Sequence, residues 1–376
     1  MSVVYKKLEE VCEILDSQRV PITAKDRKSG IYPYYGANGL QDHVSDYIFD
    51  DELVLLAEDG GNFGSKDRPI AYRVSGKCWV NNHAHVLKAK SDIHIDYLCY
   101  ALMFYNTDGL VNGATRQKLT QAAMRQMIIP YRCMKEQEKI VDEISRVFHL
   151  IAVRNEELAL LEQLVKSRFI ELFGNILCDN DLPLVQLKDL ADIGSSKRIY
   201  ANEYVESGVP FYRSKEIREL GAGLKPSVEL FIRQERYDEI KAKYGVPKIG
   251  DILIAAIGAT IGYSWIVDTD KPFYYKDGNL IILSTKNNVN PIFLNHTMGI
   301  LIEDFKSKGV AGSAQLALTI EKLEKMMVVN PNIDLQNQFA AFVEQTDKSK
   351  YYEYEIIRLL KKLSRNIQSW RENSDY

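Results

Sequence analysis

The stretch that decides the fold is ELVLLAEDGGNFG, residues 52–64, which recurs in the second half of the chain as DILIAAIGATIGY, residues 251–263. Each copy consists of an acidic residue, an apolar run of strand type and a glycine-rich turn. Upstream, LEEVCEI from Leu8 is repeated in the same order as LKDLADI from Leu187. Because solenoid repeats are much shorter than this, the sequence predicts two similar domains.

The second copy is longer than the first. LEEVCEI and its partner lie 179 residues apart, whereas the two glycine-rich stretches lie 199 residues apart. The difference predicts one extra surface segment of helical size in the second copy. RQERYDEIKAKYG, which begins at Arg233, is the best candidate for it.

Each copy is followed by a heptad pattern. Apolar residues fall on steps of three and four from Ile140 to Leu172, and again from Leu335 through Leu363 to Trp370. Such sustained heptads are typical of a coiled coil, although each stripe could instead pack on its own domain. About 35 helical residues at ~1.5 Å each form a rod of roughly 50 Å, longer than a domain of this size. We therefore expect the two helices to bury each other, and an antiparallel pair would place the domains at opposite ends.

These patterns define the expected fold. It is a mixed α/β (α+β) chain with two similar domains, at residues 1–134 and 176–332. A central coiled-coil helix, residues 135–175, and a C-terminal one, residues 333–376, follow them and form an antiparallel coiled coil.

Composition excludes several classes of protein. The chain is 46% hydrophobic and 26% charged, as is ordinary for a globular protein, and it has no apolar run of membrane-spanning length. The start lacks the layout of a secretory signal. Five cysteines are scattered without a C-x-x-C pair, which argues against a disulfide framework or a zinc site and for a reducing cytoplasm.

The net charge of −3, from 48 basic and 51 acidic residues, is unusual for a nucleic-acid binder. Proteins that hold DNA by neutralising phosphates usually carry an excess of lysine and arginine. Any DNA surface must therefore be a local patch. A partner subunit could also supply part of the positive charge, so we expect the chain to bind DNA weakly by itself and tightly only when assembled with such a partner.

No catalytic centre is evident. Asn330-Pro331-Asn332-Ile333 fails the Asn/Asp-Pro-Pro-aromatic pattern of adenine methyltransferases, and the acidic run 50–52 is more typical of a solvated turn than of a nuclease site. The glycine turns lack the lysine of a phosphate loop, so turns with positive φ explain them. His83 and His85, expected on one face of a strand, have no third metal ligand at suitable spacing, so no metal or other cofactor is expected.

The motifs, taken in order, resemble the specificity subunit of type I restriction–modification enzymes over essentially the whole chain. In the first half the similar strings are YYGANG from Tyr34, WVNNHAHVL from Trp79, GATRQKLT from Gly113 and KEQEKIV from Lys135. In the second half they are VPKIGDILIAAIGATIG from Val246 and KDGNLIIL from Lys276. The second copy departs from KEQEKIV, since residues 335–338 read LQNQ.

The resemblance implies a non-catalytic subunit with two target recognition domains, each reading one half of a split, asymmetric site in double-stranded DNA. It also implies that the long helices dock modification subunits, two in number, which bind S-adenosylmethionine and methylate adenine. Restriction or motor subunits would join for cleavage. No membrane partner is implied.

Base reading needs amide, guanidinium and small hydroxyl groups on loops that enter the major groove. The candidates are, in the first copy, Tyr35, Asn38, Asn62, Thr115, Arg116, Gln117 and Lys118 and, in the second, Arg213, Lys215, Thr260, Ser313 and Gln315. Arg116 suits guanine and Gln117 suits adenine. The alternative is that GATRQKLT only caps a helix near Thr120. Basic residues that fit phosphate contacts, or solvated surface, are Lys66, Arg68, Lys197 and Arg198.

Two other functions stay open from the residues alone. The repeats could form a protein–protein scaffold that binds polypeptides rather than DNA, or the chain could carry a hidden nuclease or methyltransferase activity. Binding to duplex DNA with the partner subunits present would discriminate against the scaffold. Absence of metal-dependent or S-adenosylmethionine-dependent activity in purified protein would discriminate against the enzyme.

Overall fold

The structure, a computed structural model, describes residues 4–113, 116–178, 182–308 and 317–368, with side chains as far as residue 364 in the last range. The chain divides into two compact units, residues 1–157 with 352–376 and residues 158–351. Both internal boundaries fall inside long helices, so each unit contains one domain and part of each long helix.

The described part of the first domain has ten strands, and six of them form one mixed sheet. Its strands are β1 (Val4–Lys7), β2 (Cys12–Ile14), β3 (Ser29–Gly36), β4 (Gly39–Val44), β5 (Phe49–Ala57), β6 (Ala71–Val80), β7 (Ala84–Ala89), β8 (Val111–Asn112), β9 (Lys118–Leu119) and β10 (Ile128–Tyr131). Its short helices are α1 (Leu8–Val11), α2 (Ile95–Met103) and α3 (Gln121–Arg125). The sheet order is β2-β7-β5-β6-β3-β4, and β3 pairs with β6 in parallel while the other neighbours are antiparallel.

The apolar run of β5 is buried because both faces of the sheet are covered there. Val54 and Leu56 pack with Leu98 of α2 in one cluster of buried side chains. Leu53 and Leu55 point to the opposite face and join a second cluster. Burial on both faces explains why this strand has a continuous apolar run instead of alternating polar and apolar residues.

After the first long helix, α4 (Met134–Phe173), the second domain follows. Its strands are β11 (Leu184–Gln186), β12 (Ala191–Gly194), β13 (Tyr204–Val205), β14 (Val209–Tyr212), β15 (Phe231–Ile232), β16 (Ile252–Ala255), β17 (Ser264–Ile266), β18 (Tyr274–Tyr275), β19 (Leu280–Thr285) and β20 (Met327–Val329). Its helices are α5 (Leu187–Leu190), α6 (Ser214–Gly221), α7 (Gln234–Tyr244), α8 (Pro291–Lys308) and α9 (Ile320–Glu324). Two four-stranded sheets form, with orders β12-β19-β16-β17 and β13-β15-β14-β18. Helix α7 is the insertion that the sequence predicted from Arg233.

The two domains repeat the same pairings. Strand β1 pairs with β10 and β11 with β20, each antiparallel and next to a long helix. The parallel pair that aligns Tyr34 with Trp79 in the first domain returns as the pair that aligns Phe211 with Tyr274 in the second. The prediction of two similar mixed α/β domains is confirmed.

The last helix, α10, spans Ile333–Gln368 and packs antiparallel to α4. In the second unit the ring of Phe339 lies 5.6 Å from that of Phe173, and Arg168, one turn earlier on α4, lies over Phe342. In the first unit Arg154 contacts Glu353 at 3.4 Å. The predicted antiparallel coiled coil is therefore confirmed.

At every second position of the predicted heptad of α10, the more buried residue is the one that follows the predicted residue. Val343, Ile357 and Ser364 are buried, whereas Leu363, which the pattern assigned to the interface, is 47% exposed. The heptad cannot distinguish adjacent positions on a helix that contacts more than one neighbour, because its apolar stripe is then wider than a coiled-coil seam. Trp370 lies outside the described residues.

A buried glutamine fixes the start of each long helix. The side-chain oxygen of Gln137 accepts a hydrogen bond from the backbone of His94 just before α2, at 2.7 Å. Gln336 accepts one from the backbone of Asn290 just before α8, at 2.9 Å. Both glutamines are fully buried. The LQNQ segment therefore retains the glutamine of KEQEKIV that joins helix to domain, although the surrounding residues differ.

Two further observations bear on the class of protein. No helix in the described part of the chain has both the length and the apolar character needed to cross a membrane. All five cysteines are unpaired thiols.

Candidate nucleic-acid interface

The loop that follows β5, residues 58–62, gathers most of the candidate reading residues of the first domain. The amide of Asn38 donates to the carbonyl oxygen of Gly60 at 3.0 Å, and the N–H of Gly60 donates to the carbonyl oxygen of Gln117 at 3.2 Å. Arg116 contacts Asp59 at 2.6 Å, and Lys118 contacts Glu58 at 3.0 Å. Gly60 has φ +64°, so the turn has the left-handed backbone expected of its glycine.

Of the remaining candidates of this domain, Tyr35 lies apart from that cluster, whereas Asn62 is the last residue of the loop 58–62 itself. Tyr35 lies in β3, with its ring 6.0 Å from that of Tyr72, and burial raises the pKa of its hydroxyl. Asn62 donates to the carbonyl oxygen of Pro69 at 3.4 Å and so braces its own loop. Thr115 lies outside the described residues.

The alternative that GATRQKLT only caps a helix is correct for one of its residues, Thr120. Thr120 caps α3, because its hydroxyl accepts from the N–H of Ala123 at 3.2 Å. Arg116, Gln117 and Lys118 precede this cap and are exposed. The string therefore both starts a helix and presents polar side chains before it.

A buried ion network lies under this loop. His85 of β7 is fully buried, and its Nδ1 lies 2.6 Å from Asp16 while its Nε2 lies 2.9 Å from the carbonyl oxygen of Leu119. Arg19 donates to Glu58 at 2.7 Å. The segment that carries Arg116 and Lys118 is thus bound to the sheet at the next residue, Leu119, through its hydrogen bond with His85.

Hydrogen bonding decides the charges in this network. Burial, the largest single effect on both Asp16 and Glu58, raises the pKa of a carboxyl group. Hydrogen bonds from His85 to Asp16, and from Arg19 and Lys118 to Glu58, outweigh it, so the pKa of each carboxyl lies below its ordinary value. Both acids are therefore ionised at neutral pH.

The oxygen and nitrogen atoms of Asp16, Glu58 and His85 lie close enough together to suggest a metal site. The guanidinium of Arg19 lies 2.7 Å from Glu58 and 3.5 Å from Asp16 and supplies the positive charge that a cation would bring. These three residues therefore fit an ion network better than a metal centre.

The two histidines do not share a strand face, contrary to the prediction from the sequence. Strand β7 begins at Ala84, so His83 lies in the preceding turn. Its Nδ1 lies 2.6 Å from Asp59, the residue that also holds Arg116. Residues 16, 58 and 59 were missed as site residues, although an acidic pair beside a glycine turn was visible in the string ELVLLAEDGGNFG.

In the second domain two candidate cations share one carboxylate. Arg213, which follows β14, donates to Glu216 at 3.0 Å and to Glu229 at 2.8 Å. Lys215 contacts the same Glu229 at 2.5 Å. The two cations hold the pKa of Glu229 at about 2. Thr260 closes the 3₁₀ turn Gly258–Thr260, which lies against α6, by donating to the carbonyl oxygen of Ile257 at 3.3 Å.

Ser313 and Gln315, the other two candidates of this domain, lie outside the described residues. Among the basic residues considered for phosphate contacts, Arg198 contacts Asp277 at 2.8 Å and Lys197 lies over the ring of Tyr244. Lys66 and Arg68 are exposed in the loop between β5 and β6.

The fold and these residues define a class of protein: a duplicated mixed α/β chain in which each copy carries guanidinium and ammonium groups beside its strands, with amide groups next to them in the first copy. The family model of the type I restriction modification DNA specificity domain matches residues 2–163 and 181–362. The chain belongs to this family, the specificity subunits of type I restriction–modification systems.

Relatives agree with this assignment. A Haemophilus influenzae chain described as a type I restriction enzyme specificity subunit, S.HindORF215P, is 31% identical over 349 residues, 91% of this chain and 86% of that one. The type I restriction enzyme MjaVIII specificity subunit of Methanocaldococcus jannaschii is 23% identical over 96% of this chain and 90% of its own length.

Two solved structures share the fold. The S subunit of a type I restriction–modification system from M. genitalium superposes with a TM-score of 0.55 at 13% identity, covering 98% of this chain and 95% of the other. A second structure, from work on complex assembly and conformational transition of a type I system, gives a TM-score of 0.58 at 17% identity, covering 100% and 98%.

Proposed function

We propose that each domain of this specificity subunit reads one part of a bipartite, asymmetric site in double-stranded DNA. The observation that carries the proposal is the convergence of Asn38, Arg116, Gln117 and Lys118 on the single turn after β5. Guanidinium and amide groups are the side chains that distinguish base pairs in the major groove. The sequence placed Asn38 in the string YYGANG and the other three residues in GATRQKLT, and the fold supports a common surface for both strings.

Roles follow from chemistry. Arg116 can donate two parallel hydrogen bonds to a guanine, and Gln117 can both donate to and accept from an adenine. In the second domain the candidates are Arg213 and Lys215 at the start of α6, which follows β14, and Thr260 on the turn that lies against α6. Because the side chains differ between the domains, the two half-sites are expected to differ. Lys66 and Arg68 are assigned to phosphates, which position the protein without specifying sequence.

The long helices are the proposed docking surface for two modification subunits. Apolar side chains remain exposed on α4, including Leu160 and Ile170, and on α10, including Leu359 and Leu363. Exposed apolar stripes on paired helices are suited to contact with partner subunits. Motor subunits would join the same assembly for restriction.

The chain is proposed to act without chemistry of its own, in the cytoplasm where its unpaired thiols stay reduced. Methyl transfer would occur in the modification subunits, which would supply S-adenosylmethionine. The domain limits proposed for this division of labour remain 1–134 and 176–332 for the reading domains, with helices 135–175 and 333–376 between and after them.

Sequencing of methylated adenine in host DNA tests the function directly. With the gene intact, one split and asymmetric motif should be methylated, and this methylation should disappear on deletion. Complementation with the wild-type gene should restore the motif, which excludes polar effects on the modification gene. An unchanged methylation map in a host with an active modification subunit would contradict DNA reading and favour the scaffold.

A further inference from the structure

Each candidate reading arginine is held at one edge by a carboxylate of its own domain. Arg116 is 59% exposed, yet its Nη2 lies 2.6 Å from Asp59. In the second domain the Nη2 atom of Arg213 contacts both Glu216 and Glu229. A contact between arginine and carboxylate thus occurs in both domains, at different positions of the fold: Arg116 lies between β8 and β9, whereas Arg213 follows β14.

The carboxylates are themselves fixed. Asp59 is 19% exposed and shares its Oδ1 with His83 at 2.6 Å. Its backbone also forms a β-bridge with Lys118, two residues beyond Arg116. Asp59 therefore cannot move away from Arg116 without disturbing the bridge between the two segments that carry these residues.

In the second domain burial fixes Glu216, whereas Glu229 is held by its contacts with two cations. Glu216 is fully buried and accepts the backbone N–H of Arg213 at 2.8 Å. Glu229 is more exposed but contacts Lys215 as well as Arg213, so it ties two candidate reading residues together.

We propose that Asp59 and Glu229 are positioning residues for base reading, one in each domain. A guanidinium has five N–H donors in a planar fork, and a guanine accepts two of them at O6 and N7. A carboxylate that occupies one edge of the fork leaves the other edge to face the base and restricts the side-chain rotamers. The inference deepens the proposed function and depends on it.

The competing explanation is that the carboxylates only neutralise the arginines until DNA displaces them. The two explanations predict opposite results for the isosteric variants Asp59→Asn and Glu229→Gln. Loss of positioning lowers discrimination against the wrong base, whereas loss of masking raises affinity for every duplex and leaves discrimination unchanged.

The test uses the complete complex with its modification subunits, in cells and purified. In cells, methylated-adenine sequencing should show that Asp59→Asn relaxes one base position in one half-site, and that Glu229→Gln relaxes one position in the other half-site only. Each variant is thereby the control for the other, because misfolding or failed assembly would abolish methylation at the whole motif.

Binding measurements on the purified complexes then give the size of the loss in discrimination against the wrong base. Duplexes with a single substitution at the affected position should lose about tenfold or more of their discrimination against the wrong base. The conservative variant Asp59→Glu should recover part of it. If either variant binds all duplexes more tightly with an unchanged ratio, the carboxylate is a mask and the inference is overturned.

Arginine variants separate this inference from the proposed function. If Arg116→Gln and Arg213→Gln relax the motif while the carboxylate variants leave it intact, only the positioning role fails. If the arginine variants also leave both half-sites intact, the assignment of these residues to base reading fails.

Discussion

His85 faces a hydrogen-bond acceptor with each of its ring nitrogens, the Asp16 carboxylate on one side and the Leu119 carbonyl oxygen on the other. A carbonyl oxygen can only accept, and Asp16 is ionised because its pKa lies below the ordinary value. His85 therefore bridges these two acceptors from a fully buried position. Glu58, Arg19 and Lys118 complete the network around His85 and Asp16.

Substitution His85→Leu should be costly for this reason. It removes one partner from a buried ion network and leaves the Leu119 carbonyl oxygen without its donor. We expect the free energy of unfolding to fall by about 3 kcal/mol, measured by urea denaturation of the purified chain. The matched change at the exposed His43 should cost less than about 0.5 kcal/mol. Equal unfolding midpoints for His85→Leu and wild type would show that the network does not stabilise the fold.

At this scale the sequence predicted the exposed side chains of the candidate site better than the buried side chains that hold them in place. Arg116 and Gln117 were identifiable by chemical type, since few side chains can read a base edge. Nothing in the sequence indicated that Asp16 and His85 form a pair. They lie 69 residues apart and meet only when the 3₁₀ turn Asp16–Gln18 packs on β7. Contacts of this kind leave no periodic signal in the sequence.

At the scale of elements, an aromatic cluster joins both long helices to the second domain. Phe169 and Phe173 of α4, Phe293 of α8 and Phe339 of α10 pack together with ring centres 4.8 to 6.1 Å apart. His296 of α8 lies edge-on to Phe339, at 5.2 Å.

This cluster gives the second unit a pH-dependent stability. Burial lowers the pKa of His296 from 6.5 to about 4, and of the smaller effects from α10 Asp347 raises this pKa while Lys350 lowers it. The unfolded chain therefore binds the proton first as the pH falls. Stability is complete above about pH 6.5 and declines as the pH decreases toward 4.

Between pH 7 and pH 5 the free energy of unfolding is expected to fall by about 2 kcal/mol through the protonation of His296 in the unfolded chain. His296→Phe should remove this component, so the difference in unfolding free energy between variant and wild type should change by that amount between the two pH values. Urea denaturation at both pH values measures it, with His43→Phe as the control that retains the wild-type dependence. A constant difference would show that His296 is not titrating in this range.

The heptads predicted both long helices but not their full set of contacts. Phe169 and Phe173 are buried although the pattern did not select them, because this part of α4 packs against α8 as well as α10. A heptad describes one partner, and a helix with two partners buries residues on both sides of its seam. For the same reason the alternate inward positions of α10 lie one residue beyond those expected.

At the scale of the whole molecule, internal repetition predicted the duplicated fold. The paired stretches at 52–64 and 251–263 became β5 and β16, each in the interior of its sheet. The sequence could not show that the second copy divides its strands between two sheets. That division accompanies α6, β15 and α7, which occupy the chain between β14 and β16 where the first copy has only β4.

Charge also belongs to this scale. The chain has three more acidic than basic residues, and several candidate DNA-binding cations already contact carboxylates. Arg116 contacts Asp59, Lys118 contacts Glu58, and both Arg213 and Lys215 contact Glu229. Phosphate neutralisation supplies most of the affinity of non-specific DNA binding, so a surface balanced in this way starts with little of it.

The isolated chain should consequently bind a duplex that contains its methylation motif with a Kd in the micromolar range or weaker at ~150 mM salt. Addition of the modification subunits should tighten binding to the nanomolar range typical of specific complexes. Fluorescence anisotropy with labelled duplex measures both states, and a scrambled duplex of the same composition is the control. The gain on assembly should be a similar factor for the motif and for the scrambled duplex, because the partners add phosphate contacts common to all sequences, and the base contacts of this chain should keep the motif the tighter ligand in both states. Nanomolar binding by the isolated chain would mean that the carboxylates leave the cations of its surface available to phosphates.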